Sequence, residues 1–167
     1  MPEKKTLERS REDAREGKSP STQAGEFVRE EIEHIREGKH GARSPQQAIA
    51  IGLSKARRAG VKLPPPKAGK TSEATRKKAE RDLRKGQSRR KKQPSATRSR
   101  AVRGALKREG HGSASHRALS KQAHRTARRR SSADRSQAAK KAARTKGAAG
   151  RTQAARKAAR TRQRRAA

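Results

Sequence analysis

The sequence predicts an all-α and largely disordered chain, in which a small N-terminal helical hairpin precedes a basic tail of conditional helices. Lysine and arginine number 49 against 15 acidic residues, so the net charge is +34 over 167 residues. Only 27% of the residues are hydrophobic, and Phe27 is the one aromatic residue. A chain of this composition has little apolar surface with which to offset the entropy lost on ordering.

The charge is distributed unevenly along the chain. Residues 1–40 carry a net charge of −1, residues 41–87 carry +10 and residues 88–167 carry +25. This asymmetry indicates a tail that binds a polyanion and a head with another role. We divide the chain into a charged N-terminal segment (1–19), a helical hairpin head (20–66) and a basic low-complexity tail with conditional helices (67–167).

Start and stop signals define the first helix of the hairpin. Residues 5–16 predict a weak, frayed helix that ends at Gly17. Ser19 then serves as an N-cap, with Pro20 in the first helical turn. The helix that follows ends near Gly38, and its apolar positions recur at helical spacing. These positions are Ala24, Phe27, Val28, Ile32 and Ile35.

The second helix of the hairpin begins at Ser44, which forms a capping box with Gln47. It ends at Gly60, a residue suited to the left-handed conformation that stops a helix. A helix-turn-helix interpretation places Gln46 and Gln47 on base edges. The alternative makes them capping and solvent-facing residues, and the lack of a visible third core helix favours it.

The hairpin has a thin hydrophobic core. It contains nine sizeable apolar side chains in about 45 residues. A chain of this length is below the size at which single domains are comfortably stable. We therefore expect self-association or a protein partner to complete the head.

Glycine or proline separates the helical segments of the tail. Their apolar content is mostly alanine, which favours helix but buries little area. Residues 136–145 match residues 152–161 at a spacing of 16, and a helix places the alanines of each copy opposite its cations. Dense like charge opposes these helices until phosphates neutralise it. The segments run over about 72–85, 95–109, 114–130, 133–146 and 151–165.

No motif in the sequence predicts an enzyme, a cofactor or a metal site. There is no cysteine, and Gly69-Lys70-Thr71 lacks the first glycine and the strand of a phosphate-binding P-loop. The five histidines lack the spacing of known metal-ligand motifs, so we interpret them as solvated. The clustered glutamates of residues 26–37 are interpreted as a solvated helix face.

Membrane association is not expected. The longest apolar run has six residues, whereas a membrane helix needs about 18. The tail helices offer alanine where a membrane-surface helix needs larger apolar side chains. No secretory signal is visible at the start, so a cytoplasmic protein is expected.

Two stretches of the head, residues 27–41 (FVREEIEHIREGKHG) and 44–60 (SPQQAIAIGLSKARRAG), carry a resemblance. Over about residues 20–66 the chain resembles an uncharacterised family of small basic bacterial proteins that are often labelled DNA-binding. The tail is similar to the alanine- and lysine-rich tails of histone-like bacterial proteins and linker histones, but it is richer in arginine. The resemblance implies a bacterial source and a DNA-associated role, and it brings no catalytic residues.

We therefore expect a histone-like, nucleoid-associated protein that neutralises and bridges phosphates with little sequence preference. DNA is preferred to RNA as the partner, and no small-molecule substrate is expected. One alternative is an RNA- or ribosome-associated basic protein, and a second is a protein-interaction adaptor that acts through the acidic helix 20–37. The residues expected to contact nucleic acid are Lys55, Arg57, Arg58, Arg89, Arg90, Lys91, Lys92, Arg128, Arg129, Arg130, Lys140, Lys141, Arg144, Arg156, Lys157, Arg160, Arg162, Arg164 and Arg165.

Overall fold

The computed structural model describes residues 2–88 and 95–166, and every regular element within these ranges is helical. The predicted all-α class is therefore confirmed. A short 3-10 helix, Gly112–Ala114, lies between the fifth and sixth α-helices. The α-helices are α1 (Lys4–Arg15), α2 (Pro20–Arg36), α3 (Pro45–Arg58), α4 (Glu73–Gln87), α5 (Ala96–Lys107), α6 (His116–Arg128) and α7 (Ser132–Ala166).

The chain divides into an N-terminal unit, Met1–Gln122, and a C-terminal unit, Ala123–Ala167. In the N-terminal unit, α2 packs against α1 and α3, and α3 also packs against α4. The 3-10 helix contacts both α2 and α3. The pair of helices α2 and α3 is thus the centre of a larger assembly of helices.

The expectation of a largely disordered chain is not supported by the described residues, because elements beyond the hairpin dock on it. The Gly41 N–H donates to the Leu106 carbonyl at 2.9 Å, and the Ala42 N–H donates to the Gly110 carbonyl at 3.1 Å. At Gly86, an added Cβ would overlap the Arg57 carbonyl. These approaches are between backbones, so they need little apolar surface and leave no hydrophobic pattern in the sequence.

The boundaries of α3 follow from its local sequence. The Ser44 hydroxyl accepts the Gln47 N–H at 3.3 Å, while the Gln47 side chain accepts the Arg43 N–H at 2.9 Å. At the other end, Gly60 has a φ of 103°, and the Val61 N–H donates to the Ala56 carbonyl at 3.1 Å. The predicted serine cap and glycine stop are therefore confirmed. The Gln47 side chain differs from that of the predicted capping box, because it accepts from the N–H of Arg43, the residue before the N-cap.

Two small apolar clusters form the core of the N-terminal unit. The first contains Phe27 with Val61 and two alanines, and Leu7 of α1 packs against it. The second contains Ile35 with three alanines, one of which is Ala114 of the 3-10 helix. Each cluster has one large, fully buried side chain, and partly buried leucines or isoleucine pack against it, so the apolar area of the core is small.

The contact between α2 and α3 depends on Gly52. A Cβ added there would lie 2.7 Å from the Val28 Cα and 3.0 Å from the Phe27 carbonyl oxygen. Because both atoms belong to the backbone of α2, the helices must separate to accept any side chain. Gly25, in contrast, is an exposed glycine of α2 with no atom within 4 Å of an added Cβ.

We expect Gly52→Ala to destabilise the protein by about 1–3 kcal/mol through overpacking. Gly25→Ala, the matched control, should stabilise it by roughly 0.5–1 kcal/mol, because alanine is the better helix former. Urea unfolding of the full chain, followed by circular dichroism, measures both. Equal effects of the two substitutions would argue against close packing at Gly52.

The C-terminal unit consists of the end of α6 and of α7. Helix α7 is interrupted at Gly147, whose φ of 64° and ψ of 179° are not helical. The predicted stop at Gly147 is confirmed, whereas Gly150 continues the helix. No helix within residues 2–88 and 95–166 has both the length and the apolar character needed to cross a membrane.

Candidate functional site

The C-terminal unit is densely cationic. Sixteen of its residues are lysine or arginine, and Asp134 is its one acidic residue. Every described residue between 123 and 164 is exposed, except for the half-exposed Ala143 and Gly150. The charge is therefore presented to solvent along the whole unit.

The internal repeat gives each half of α7 a cationic side. Successive residues advance by about 100° around a helix, so the three cations of each copy fall within a sector of about 100°. The alanines of each copy occupy the opposite side. We call the six cations the basic face: Lys140, Lys141 and Arg144 in the first copy, and Arg156, Lys157 and Arg160 in the second.

An open groove extends the basic face in the second half of α7. Its lining residues recur at intervals of three and four, so they share one helical side. The Thr161 hydroxyl donates to the Lys157 carbonyl at 3.0 Å, and the equivalent Thr145 donates to the Lys141 carbonyl at the same distance. The groove is lined by Gln153, Arg156, Lys157, Arg160, Thr161 and Arg164.

The two units differ in how their cations are paired. Several cations of the N-terminal unit form ion pairs with acidic side chains. One is Arg76, whose guanidinium lies 2.7 Å from the Glu80 carboxylate. No ion pair recorded within the described residues involves the basic face. A phosphate that binds there has no protein carboxylate to displace.

Three of the residues predicted to bind nucleic acid are engaged inside the N-terminal unit. Lys55 lies 2.5 Å from a buried Glu31 oxygen, and exposed Arg58 lies 3.7 Å from Asp82. Arg57 is buried and donates to the Leu63 and Pro64 carbonyls at 3.2 Å. Burial lowers the pKa of Arg57, and the charge of Asp82 opposes this shift.

The other predicted residues fall into three groups. Arg128 ends α6, and Arg129 and Arg130 follow it, all exposed. Arg164 lines the groove of α7, while the helical spacing places Arg162 on the alanine side. Residues outside the described part of the chain are Arg89, Arg90, Lys91 and Lys92, together with the side chain of Arg165.

The glutamines at the start of α3 have different environments. Gln47 is half-buried and caps the helix through both its N–H and its side chain. Gln46 is exposed. The capping interpretation therefore describes Gln47, whose amide oxygen is already bonded to the backbone of Arg43.

A buried polar cluster in the N-terminal unit corrects the interpretation of the acidic helix as a solvated face. The side chains of Glu30 and Glu31 are only 3% and 1% exposed. Lys55 lies 3.5 Å from Glu30 and 2.5 Å from Glu31, so its charge offsets theirs. Removing these carboxylates from water is unfavourable without such a partner.

Two histidines adjoin this cluster, although the sequence suggested that they are solvated. His34 and His40 are half-buried, with ring centroids 6.3 Å apart. His34 donates to Glu3 at 2.8 Å, and this hydrogen bond, together with Lys39, holds the pKa of the Glu3 carboxyl below its usual range. The sequence contained one signal for the burial of Glu31, which is its position: it lies one helical turn from both Phe27 and Ile35 and so shares their side of α2.

The comparisons with known proteins concern the N-terminal unit alone. Residues 15–68 match a family of unknown function (DUF6496), which covers α2, α3 and the loop between them. No curated protein and no solved structure matches the chain. The chain is therefore similar to this family over about a third of its length, and the match does not reach the C-terminal unit.

Proposed function

We propose that the protein is a histone-like, nucleoid-associated DNA-binding protein of the bacterial cytoplasm. It neutralises and bridges phosphates largely without regard to base sequence. The observation that carries the proposal is the basic face of α7, where six exposed cations form no ion pair with an acidic side chain in the part of the chain that the structure describes. Such a surface attracts a polyanion and releases the counterions condensed on it.

Phosphate contact, and not base stacking, suits the chemistry of this unit. Proteins that bind single strands stack bases on aromatic side chains. Phe27, the one aromatic residue, is 1% exposed within the core of the N-terminal unit. Arginine binds phosphate through paired N–H donors and lysine through a point charge, so either can act without reading the base.

The shape of α7 favours duplex DNA over duplex RNA. The major groove of B-form DNA admits an α-helix, whereas that of A-form RNA is deep and narrow. The basic face turns towards the DNA in this arrangement, so its cations reach the phosphates that border the groove. Neutralising the +25 of residues 88–167 requires roughly 42 Å of duplex, or about a dozen base pairs.

Bridging two stretches of DNA requires more than one DNA-binding surface. Self-association through the N-terminal unit would bring two such surfaces together. Its small core suits self-association or contact with a protein. In this proposal the tail helices are conditional: phosphate relieves their like-charge repulsion and increases their helix content on binding.

This function is tested by comparing the affinity of the protein for two duplexes. Full-length protein is titrated with a 24-base-pair DNA duplex and with an RNA duplex of the same sequence, at equal salt. We expect tighter binding to DNA and no dependence on its sequence. Equal or tighter binding to RNA would favour the ribosome-associated alternative, and co-purification of the native protein with ribosomes would agree with it.

A variant that preserves composition tests whether the helical face matters. A139K/K140A/A155R/R156A moves one cation of each repeat to the alanine side and keeps the net charge. We expect the slope of log K against log salt to become shallower by about two, because two phosphate contacts are lost. An unchanged slope would mean that the tail binds as a flexible polycation. Circular dichroism provides the control for helix content.

A further inference from the structure

Three potential metal ligands of the N-terminal unit come together although they are dispersed in the sequence. One ligand atom from each of Glu31, His34 and His40 lies within 4.8 Å of the other two. Glu31 and His34 are one turn apart on α2 and therefore share a side of the helix. Gly38, with a φ of 75°, reverses the chain after α2 and returns His40 to that side.

The imidazole of His40 is oriented by the backbone. Its Nδ1 lies 3.1 Å from the Gly41 carbonyl, which can only accept, so Nδ1 carries the proton. The Nε2 atom of the same ring lies 3.3 Å from Glu31 Oε1. This distance is close to the separation of two ligand atoms on one tetrahedral metal ion, about 3.3 Å for metal–ligand bonds of about 2.0 Å.

The carboxylate of Glu31 is held in place but lacks directional partners. Its side chain is 1% exposed, and neither oxygen has a hydrogen bond among the described residues. Lys55 lies 2.5 Å from Oε2 and supplies charge on that side, although the geometry is not that of a hydrogen bond. Oε1 remains directed at the histidines.

His34 shows a second arrangement found at metal sites. Its Nε2–H donates to the Glu3 carboxylate at 2.8 Å, and Glu3 is in turn 3.3 Å from Lys39. Metal-binding histidines commonly donate one ring N–H to a carboxylate or carbonyl, which orients the ring and makes the other nitrogen more basic. Both histidines of the cluster have this feature.

We propose that Glu31, His34 and His40 bind a divalent transition-metal ion of the Zn²⁺ class. Two imidazoles and one carboxylate suit this ion, and water can complete a tetrahedral shell. The ligand atoms lie within 4.8 Å of one another, so small movements bring them to the roughly 3.3 Å separation set by metal–ligand bonds of about 2.0 Å. The bound ion ties the loop after α2 to the helix. The proposal is independent of DNA binding.

Titration of the full-length, chelator-treated protein with Zn²⁺ tests this site. We expect one high-affinity equivalent and a rise in Tm with Zn²⁺ concentration. His34→Gln and His40→Gln should each weaken binding at least about tenfold. His116→Gln and His124→Gln are matched controls, because both residues are exposed and distant in sequence, and they should leave the affinity unchanged.

Two further measurements separate a lost ligand from a lost fold. Circular dichroism of the metal-free variants should match that of the metal-free wild type. Co²⁺ should give the visible absorption of a low-symmetry site in the wild type and in H116Q, but not in H40Q. No stoichiometric binding, binding unaltered by both H34Q and H40Q, or equal losses in the control variants would overturn the proposal.

Discussion

Replacing the six cations of the basic face with glutamine is expected to weaken duplex-DNA binding by between about 10²-fold and 10⁵-fold at 0.1 M salt. Each phosphate contact contributes about 0.9 log units at this salt concentration, so the range corresponds to two to six simultaneous contacts. Glutamine is a good helix former and retains most of the side-chain length. Fluorescence anisotropy of a labelled 24-base-pair duplex measures the change.

A control variant with the same loss of charge distinguishes the contribution of the basic face to DNA binding from that of the net charge. The control residues are exposed, lie in the N-terminal unit and form no ion pair within the described ranges 2–88 and 95–164: Lys4, Lys5, Lys62, Arg11, Arg15 and Arg81. Their replacement by glutamine also removes three lysines and three arginines. We expect at most about a tenfold loss from long-range attraction. Equal losses in the two variants would contradict a localised interface on α7.

The second large effect concerns the buried pair of Lys55 and Glu31. Lys55→Met is expected to lower the free energy of unfolding by about 3–5 kcal/mol, because it leaves a buried carboxylate without its neutralising partner. Urea unfolding at neutral pH in the presence of a chelator measures the effect without a contribution from metal.

The double variant E31M/K55M completes the cycle. Because methionine fills a similar volume and needs no charged partner, the double variant should be more stable than K55M alone. Lys77→Met is the surface control: its 3.4 Å pair with Glu73 is exposed, and its loss should cost less than about 1 kcal/mol. Additive effects of E31M and K55M, or a loss for K55M no larger than that for Lys77→Met, would contradict a buried, coupled pair.

The local features of the fold were predictable because each depends on a few adjacent residues. Ser44 and Gln47 cap α3, Gly60 ends it, and Gly147 interrupts α7, as their residue types predict. The cationic side of each half of α7 follows from the spacing of lysine and arginine within each copy of the repeat. These elements need no knowledge of what packs against them.

The interactions that the sequence did not reveal involve contacts between distant segments. Glu30 and Glu31 were assigned to solvent by residue type, although Glu31 continues the buried stripe of Phe27 and Ile35. Their burial depends on Lys55, which belongs to another helix. The docking of Gly41 against the 106–110 segment uses backbone hydrogen bonds, which have no signature in composition or periodicity.

The most direct test of the central claim is the salt dependence of duplex-DNA binding by the full-length protein. If about ten phosphates are contacted at once, log K should fall linearly with log salt at a slope of about −9. The glutamine variant of the basic face should have a slope shallower by as much as about five. A slope near zero, or the same slope for wild type and variant, would contradict a phosphate-driven interface on α7.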